Sequence, residues 1–433
     1  MICDWPRLCP AIQPDGFTGA LLALEGIADA AVILHGPTGC RGLHSAFSEH
    51  AFPRELIAER LNYAERFYFG QPRIPTTYLD GDDFIFGAKE KLREAIRTTL
   101  THRPALLALV NAPGAALIGE DLQQGLTDST ATIPAIAIEM PAFSRTMAEG
   151  YQQAVLAVLE GLNLSPKPIF PGSVSLIGLS ITHANWAGSL GELRRLLALC
   201  GVKVLCAPAA GSPVAEWCLL PHAACHMVVH AEYGDRIGNW LERRYSAPVI
   251  TVATGAPLGF AATEAWLTQV TRAVDADPSP ALIAIREQRR LVSAHLFRIS
   301  GVTSALKGMT CSICADPSLA LPLARFLYDY LGILPLSVET PDFEATSSAE
   351  ELKSFLNDVG CADAWQVPWQ AVEADLLFAD GHQVGKRLAA GNEQGNIELM
   401  LPLGGHRDLV PKPLLGAEGT AYLVERILNS VSL

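Results

Sequence analysis

Two cysteines stand just ahead of segments that can form helices, and a thiol in such a position can be made to ligate a metal. Cys40 ends the run His35-Gly36-Pro37-Thr38-Gly39-Cys40, a glycine-rich turn directly after an apolar, strand-like segment. Such a turn exposes backbone N–H groups, and a helix beginning there adds the positive end of its dipole. A thiolate is stabilised by both, as an iron-sulfur ligand requires. A cysteine that merely packs in a tight turn satisfies the same pattern. Cys9, followed by Pro10, precedes the helix-like stretch Phe17 to Gly26 and is a second thiol of this kind. The two are much further apart than the ligands of a zinc knuckle, so any metal they share must be assembled by tertiary structure or with another subunit.

The remaining cysteines and histidines suggest less. Cys311-Ser312-Ile313-Cys314 has a redox-like spacing, but on a strand residues i and i+3 face opposite sides, so core packing is expected. Cys200, Cys206, Cys218, Cys225 and Cys361 lie in apolar helical or strand-like surroundings and are expected to pack as small hydrophobes. His183 and His382 read as lone turn histidines without a visible partner. His406, beside Arg407 and Asp408, reads as a surface hydrogen-bonder.

The elements that must position these residues follow an α/β pattern. At 433 residues the chain exceeds one ordinary core. Hydrophobic residues are 49% against 18% charged, with 36 Gly and 29 Pro, which excludes a disordered or coiled-coil chain. Short apolar runs close on Gly or Pro turns and lead into amphipathic stretches, the signature of parallel βαβ units. Three Rossmann-like domains with parallel sheets flanked by helices are expected, over residues 1–170, 171–283 and 304–433, joined by a connecting helix at 284–303. Expected strands in the first are Ala31 to Leu34, Leu106 to Val110 and Ala135 to Ile138. The second carries strands at Val174 to Leu179, Val202 to Cys206 and Val249 to Ala253, with a helix at Leu190 to Leu199. The third opens with Thr310 to Ala315 and ends with the helix Ala421 to Leu428.

A net charge of −13 argues against sequence-independent nucleic-acid binding, which needs cations to neutralise phosphates. No run of about 18 apolar residues and no signal-like amino terminus is present, so a cytoplasmic protein without a membrane partner is expected. In that reducing compartment the ten cysteines are not expected to form disulfides.

The segment LCPAIQPDGFTGALLALEGIADAAVILHGPTGC resembles the amino-terminal part of the nitrogenase component 1 family. The likeness continues through Asp83-Phe84-Ile85-Phe86-Gly87 with Lys89-Glu90-Lys91-Leu92, and through the turn Leu117-Ile118-Gly119-Glu120-Asp121. SVSLIGLS, ELRRLLALCGVKV, LERRYSAPVI and APLGFAATEAWL follow in the family's order, and ARFLYDYLGI and LLGAEGTAYLVERILN resemble its closing elements. Pro402 to Gly416 and the final helix resemble the β-type subunit. This resemblance implies that Cys9 and Cys40 ligate an iron-sulfur cluster, an eight-iron [8Fe-7S] P-cluster or a [4Fe-4S] centre, shared with a homologous α-type catalytic subunit in an α2β2 assembly. Gly36 and Gly39 would line it, and a separate ATP-dependent iron protein would supply the electrons.

Two departures from the family stand out. Where the family places a third cluster cysteine this chain has Pro113, so the subunit supplies fewer ligands, or Cys3 substitutes, or the cluster is smaller. The stretch Met227 to Tyr233 has no cysteine to hold a substrate-reducing cofactor, and none is assigned. Relatives resembling methylthio-alkane reductases are favoured over a dinitrogen reductase, with tetrapyrrole (protochlorophyllide- or chlorophyllide-type) reductases next. A non-catalytic cofactor-assembly scaffold and a cluster-free binding protein are the rivals of other classes.

Overall fold

A computed structural model of the chain describes residues 14–52, 74–129, 133–139, 145–303, 306, 308–341 and 346–431. Cys3 and Cys9 lie outside the described residues. Three parallel sheets are present. The first has the order β1-β2-β3, from Ala30–His35 (β1), Leu106–Asn111 (β2) and Ala135–Ile138 (β3). The second, β5-β4-β6-β7, is built from Phe170–Ile177 (β4), Lys203–Cys206 (β5), Ala223–Val228 (β6) and Val249–Thr251 (β7). The third, β11-β10-β8-β9, is built from Thr310–Cys314 (β8), Leu334–Glu339 (β9), Leu376–Asp380 (β10) and Asn396–Met400 (β11). Every ladder within these sheets is parallel, in agreement with the α/β expectation.

Strand alternation distributes the cores. In β2, Leu106, Ala108 and Val110 enter one apolar cluster while Leu107 and Leu109 enter another on the opposite face. In β4, Val174 and Leu176 belong to a core that also holds Ile313 of β8 and Phe378 of β10, whereas Ile177 joins the core of the first sheet. The middle sheet is therefore covered on both sides. Cys311 and Cys314 obey the same rule: they are buried in separate clusters and pack as expected.

Differences from the sequence expectations lie at element ends. Strand β4 begins at Phe170, earlier than Val174, and β1 extends to His35. The connecting helix expected at 284–303 begins earlier, at Ser279, and ends at Thr303, because its charged residues leave an apolar stripe through Ala281, Ile285 and Val292 that packs into the core. Cys218 is exposed at the end of a single helical turn, contrary to the packing expected for it, because the chain there turns outward between Trp217 and Leu220, which take the buried positions.

Helices Gly16–Glu25 (α1) and Met147–Leu162 (α5) form an unusually close pair, with α2 to α4 at Thr38–Ala51, Lys89–Leu100 and Leu122–Ser129 between them in sequence. Asp15 caps α1 by accepting the Thr18 amide at 3.0 Å, and α5 starts with a reciprocal box between Thr146 and Glu149. Backbone-to-backbone approach of the two helices leaves no room for a side chain: a Cβ on Gly150 would collide with the Gly16 carbonyl, and one on Gly19 with that of Met147. Tyr151, fully buried on α5, places its hydroxyl 3.1 Å from Leu179 O and 3.2 Å from Pro208 O, tying this pair to the second sheet. Gly150→Ala is expected to lower unfolding stability by about 1–3 kcal/mol through overpacking, seen as a reduced urea midpoint.

Candidate functional site

The turn after β1 is held from three directions. Ala112 N–H donates to His35 O at 2.8 Å, Thr76 Oγ1 donates to Gly36 O at 2.6 Å, and Gly36 N–H donates to Thr77 Oγ1 at 3.1 Å. A Cβ on Gly36 would press against the Ala112 methyl 2.5 Å away, whereas one on Gly39 would meet nothing within 4 Å. One glycine thus permits close packing of the strand ends, and the other keeps the outer side of the turn open. Pro37 precedes α2 without a side-chain cap, and Cys40 is the third helical residue, half-buried in the first turn. Its thiol is pushed above the ordinary range by burial, opposed by a backbone hydrogen bond.

Two histidines frame this turn: His35 opens the run already visible in the sequence, and His44 is placed there by tertiary structure. His44 lies one helical turn after Cys40, its Nδ1 2.6 Å from the Cys40 carbonyl and its Nε2 3.1 Å from Thr18 Oγ1. Because a carbonyl only accepts, Nδ1 carries the proton; the Thr18 hydroxyl beside Nε2 also reaches Asp15 Oδ1 at 3.2 Å, to which it donates. Burial keeps His44 neutral by lowering its pKa, against the backbone hydrogen bond to Cys40 and the charge of Asp15. His35 is fully buried with Nδ1 3.1 Å from Thr77 Oγ1; its Nε2 has no hydrogen-bond partner and stands 3.9 Å from Glu120 Oε2. Burial lowers its pKa, with Glu120 and Asp83 opposing. Glu120 also accepts the Ala88 N–H, which links the turn to the start of α3.

Beside this site lies an exposed apolar patch. Ile85, Phe86 and Leu117 are 74%, 83% and 87% exposed, and Phe84 reaches to within 3.7 Å of where a Gly114 side chain would begin. Pro113 is exposed beside it and has no atom able to ligate iron. Among the described residues no three His, Cys, Asp or Glu side chains converge as a metal site. Cys40 with its open turn fits one thiolate ligand of a metal group; Cys9 and Cys3 lie outside the described residues.

The far end of α2 is anchored to the rest of the molecule. Trp186, opening the helix Trp186–Leu199 (α6), donates its indole N–H to Ala51 O at 2.6 Å, and His50 Nε2 lies 2.8 Å from His406 O. His406 differs from the surface role expected of it: it is half-buried, its Nε2 lacks a partner, and burial together with Arg426 lowers its pKa to about 4, against the pull of Glu398.

A second polar centre sits where the second and third sheets meet. His183 is neither lone nor exposed. Its ring stacks on His230 at 4.1 Å, and its Nε2 is 3.5 Å from Asp316 Oδ2. His230 Nδ1 lies 3.0 Å from Ser318 Oγ, and Ser318 N–H donates to Glu232 Oε1 at 2.8 Å. Both His183 nitrogens, Glu232 Oε2 and Asp316 Oδ2 are buried without hydrogen-bond partners. Burial, then the neighbouring Asp316 charge, pushes the Glu232 carboxyl up to about 7. Sequence spacing could not foretell this cluster, because its members come from separate loops and helix ends.

Glu232 supplies a pH prediction. Its folded-state pKa exceeds its unfolded value, so the stabilisation linked to its proton is complete below the ordinary carboxyl range and is lost as pH rises through about 7. Chemical unfolding between pH 5 and pH 8 should show the wild type losing more stability than Glu232→Gln; parallel pH profiles would refute this.

The comparisons agree with the architecture. The model of the Nitrogenase component 1 type Oxidoreductase family matches residues 16–432. The nitrogenase molybdenum-iron protein beta chain of Frankia alni is 24% identical, with 97% of this chain and 81% of that one covered. The nitrogenase iron-iron protein beta chain of Rhodobacter capsulatus is 23% identical, covering 95% and 91%. A light-independent protochlorophyllide reductase chain of a Nostoc species is 24% identical over 83% of this chain and 74% of its own. A solved structure of nitrogenase Cp1 at pH 6.5 superposes with a TM-score of 0.75 over 98% of this chain and 94% of its own, at 16% identity, and thereby shares the fold. With a family match that runs nearly end to end on a fold of three parallel sheets, this chain belongs to the nitrogenase component 1 type oxidoreductases.

Proposed function

We propose that this chain is the β-type subunit of a nitrogenase-like two-component reductase. In this role it contributes Cys40 and Cys9, with Cys3 as a further thiol, to an iron-sulfur cluster shared with a homologous α-type subunit. The observation that carries the proposal is the position of Cys40. It lies in the first turn of α2, half-buried on the protein side, next to an open Gly39 and an exposed apolar patch. A cluster at such a place would pass single electrons between subunits. The Gly36–Gly39 backbone would give it close approach, and His44 would hold the Cys40 carbonyl in register from within α2.

The patch formed by Ile85, Phe86 and Leu117 is the natural seat of the partner, since burying it would also shield a bridging cluster from water. The missing ligand at Pro113 favours a smaller donor set than a dinitrogen reductase carries. Among relatives, a methylthio-alkane reductase type in an α2β2 assembly served by an ATP-dependent iron protein is the preferred identity. The likeness to a chain of light-independent protochlorophyllide reductase supports a tetrapyrrole reductase as the second reading. A cofactor-assembly scaffold would share the cysteines but not turn over.

Anaerobic purification with co-purifying subunits, followed by iron and sulfide analysis and EPR before and after dithionite, tests the proposal. Cys40→Ala should lose most cluster iron while its circular dichroism stays near wild type; full iron in that variant would remove Cys40 from the site. Cys3→Ala with unchanged iron would remove Cys3 alone. ATP- and reductant-dependent product formation separates the reductase from the scaffold.

A further inference from the structure

A cavity of about 370 Å³ lies apart from the Cys40 turn, between the helix Phe260–Ala273, the long helix Ser279–Thr303 and the helical segment Pro317–Leu331. Its apolar lining is aromatic. Phe326 and Tyr330 stack with ring centres 5.3 Å apart and planes 20° from parallel, and Phe260 meets both edge-on at 6.4 and 5.4 Å. The two stacked rings sit on a widened, π-type turn, Phe326–Leu331, a local irregularity that recurs at functional sites. Phe260 and Phe326 are buried and Tyr330 is half-buried, so the rings form a fixed wall rather than loose surface groups. The Tyr330 hydroxyl is held 2.7 Å from Ser293 Oγ.

The polar groups at the cavity are unequal. The Arg289 guanidinium stands over the Tyr330 ring at 5.6 Å and has no carboxylate partner within ion-pair distance among the described residues. Arg325 lies over Phe355 at 5.5 Å but is already paired, 3.5 Å from Glu351. Asp329 is the one carboxylate among the lining residues, and it is exposed at the rim. Ala261 and Ala262, in the first turn of a 14-residue helix without a side-chain cap, add a weak positive field on the same side.

We propose that this cavity is a binding site for a small planar aromatic monoanion, an aromatic carboxylate being the fitting class. The ring would lie against the Phe326/Tyr330 wall, and the carboxylate would meet Arg289, which has no carboxylate partner among the described residues. The volume falls in the range of small-molecule sites, whose walls are mostly apolar and aromatic with a few polar groups that fix orientation. Asp329 disfavours a second negative charge, so a monoanion is selected over a phosphate-type dianion. This site goes beyond the proposed cluster role and does not depend on it.

Calorimetric titration of the full chain, with whatever subunits co-purify, tests the proposal with 2-naphthoate as the probe. Three analogues run alongside it: neutral 2-naphthalenemethanol, non-aromatic cyclohexanecarboxylate and dianionic 2-naphthyl phosphate. Saturable 2-naphthoate binding, at least ~10-fold tighter than each analogue and weakened ~10-fold or more by Arg289→Gln, is expected for a charge-assisted contact on an aromatic wall. Arg289 is exposed, so the substitution leaves the fold intact, which an unchanged unfolding midpoint would verify. Tyr330→Leu should weaken binding while sparing the iron content. Absence of saturable binding, equal affinity for the neutral alcohol, or undiminished binding by Arg289→Gln would overturn the proposal. None of these outcomes bears on Cys40.

Discussion

From Ser173 onward strand β4 is buried on both faces, and the rest of the molecule is arranged around that constraint. Its alternate residues divide between two cores: Val174 and Leu176 face the apolar interior shared with the third sheet, while Ile177 faces the interior shared with the first. Because successive side chains of a strand point to opposite sides, this requires an almost continuous apolar run instead of a polar-apolar alternation. SVSLIGLS meets the requirement with small hydroxyls between its aliphatic residues. Ser175 is fully buried and finds a partner in His226 Nδ1 at 2.6 Å, so the polar atom does not go unpaired. Burial lowers the His226 pKa to about 4, which keeps the ring neutral at this position.

The two polar centres inherit their positions from that arrangement. Parallel strands bring the starts of their following helices to one edge, which is why ligands of open α/β sheets collect beyond the carboxyl ends of strands. Gly36 to Cys40 follow β1, His230 and Glu232 follow β6, and Asp316 follows β8. The first centre faces outward beside an apolar patch. The second is enclosed where two sheets meet, and burial there raises the pKa of the Glu232 carboxyl and lowers that of the His230 imidazole. The same geometry thus produces one centre at an exposed turn and one enclosed between sheets.

Helix α2 joins these levels. Its amino-terminal turn carries Cys40, its middle is held by His44 to Thr18 of α1, and its end is anchored through Ala51 and His50 to Trp186 and to the His406 loop. The Cys40 turn is therefore not a free loop. Ser48, in the same helix, donates to the buried Glu25 at 2.6 Å, so a carboxylate in the interior is matched within the α1–α2 pair.

The α/β class, the parallel sheets, the strand cores at Leu106 to Val110 and Thr310 to Ala315, the opposite facing of Cys311 and Cys314, and Cys40 in a turn after a strand were all legible in the sequence. Each rests on local periodicity or on turn chemistry that a few neighbouring residues define. Beginnings of strands such as β4 were less legible, because Phe170-Pro171-Gly172 has turn composition yet is drawn into pairing with Ala223 by the ladder. The partners of His183, the framing of Cys40 by His44 and Thr18, the exposure of Cys218 and the aromatic cavity at Tyr330 were not legible at all. Those depend on which loops and helix faces the packed sheets bring together, and contacts between residues far apart in the chain leave no periodic mark on the sequence around either partner.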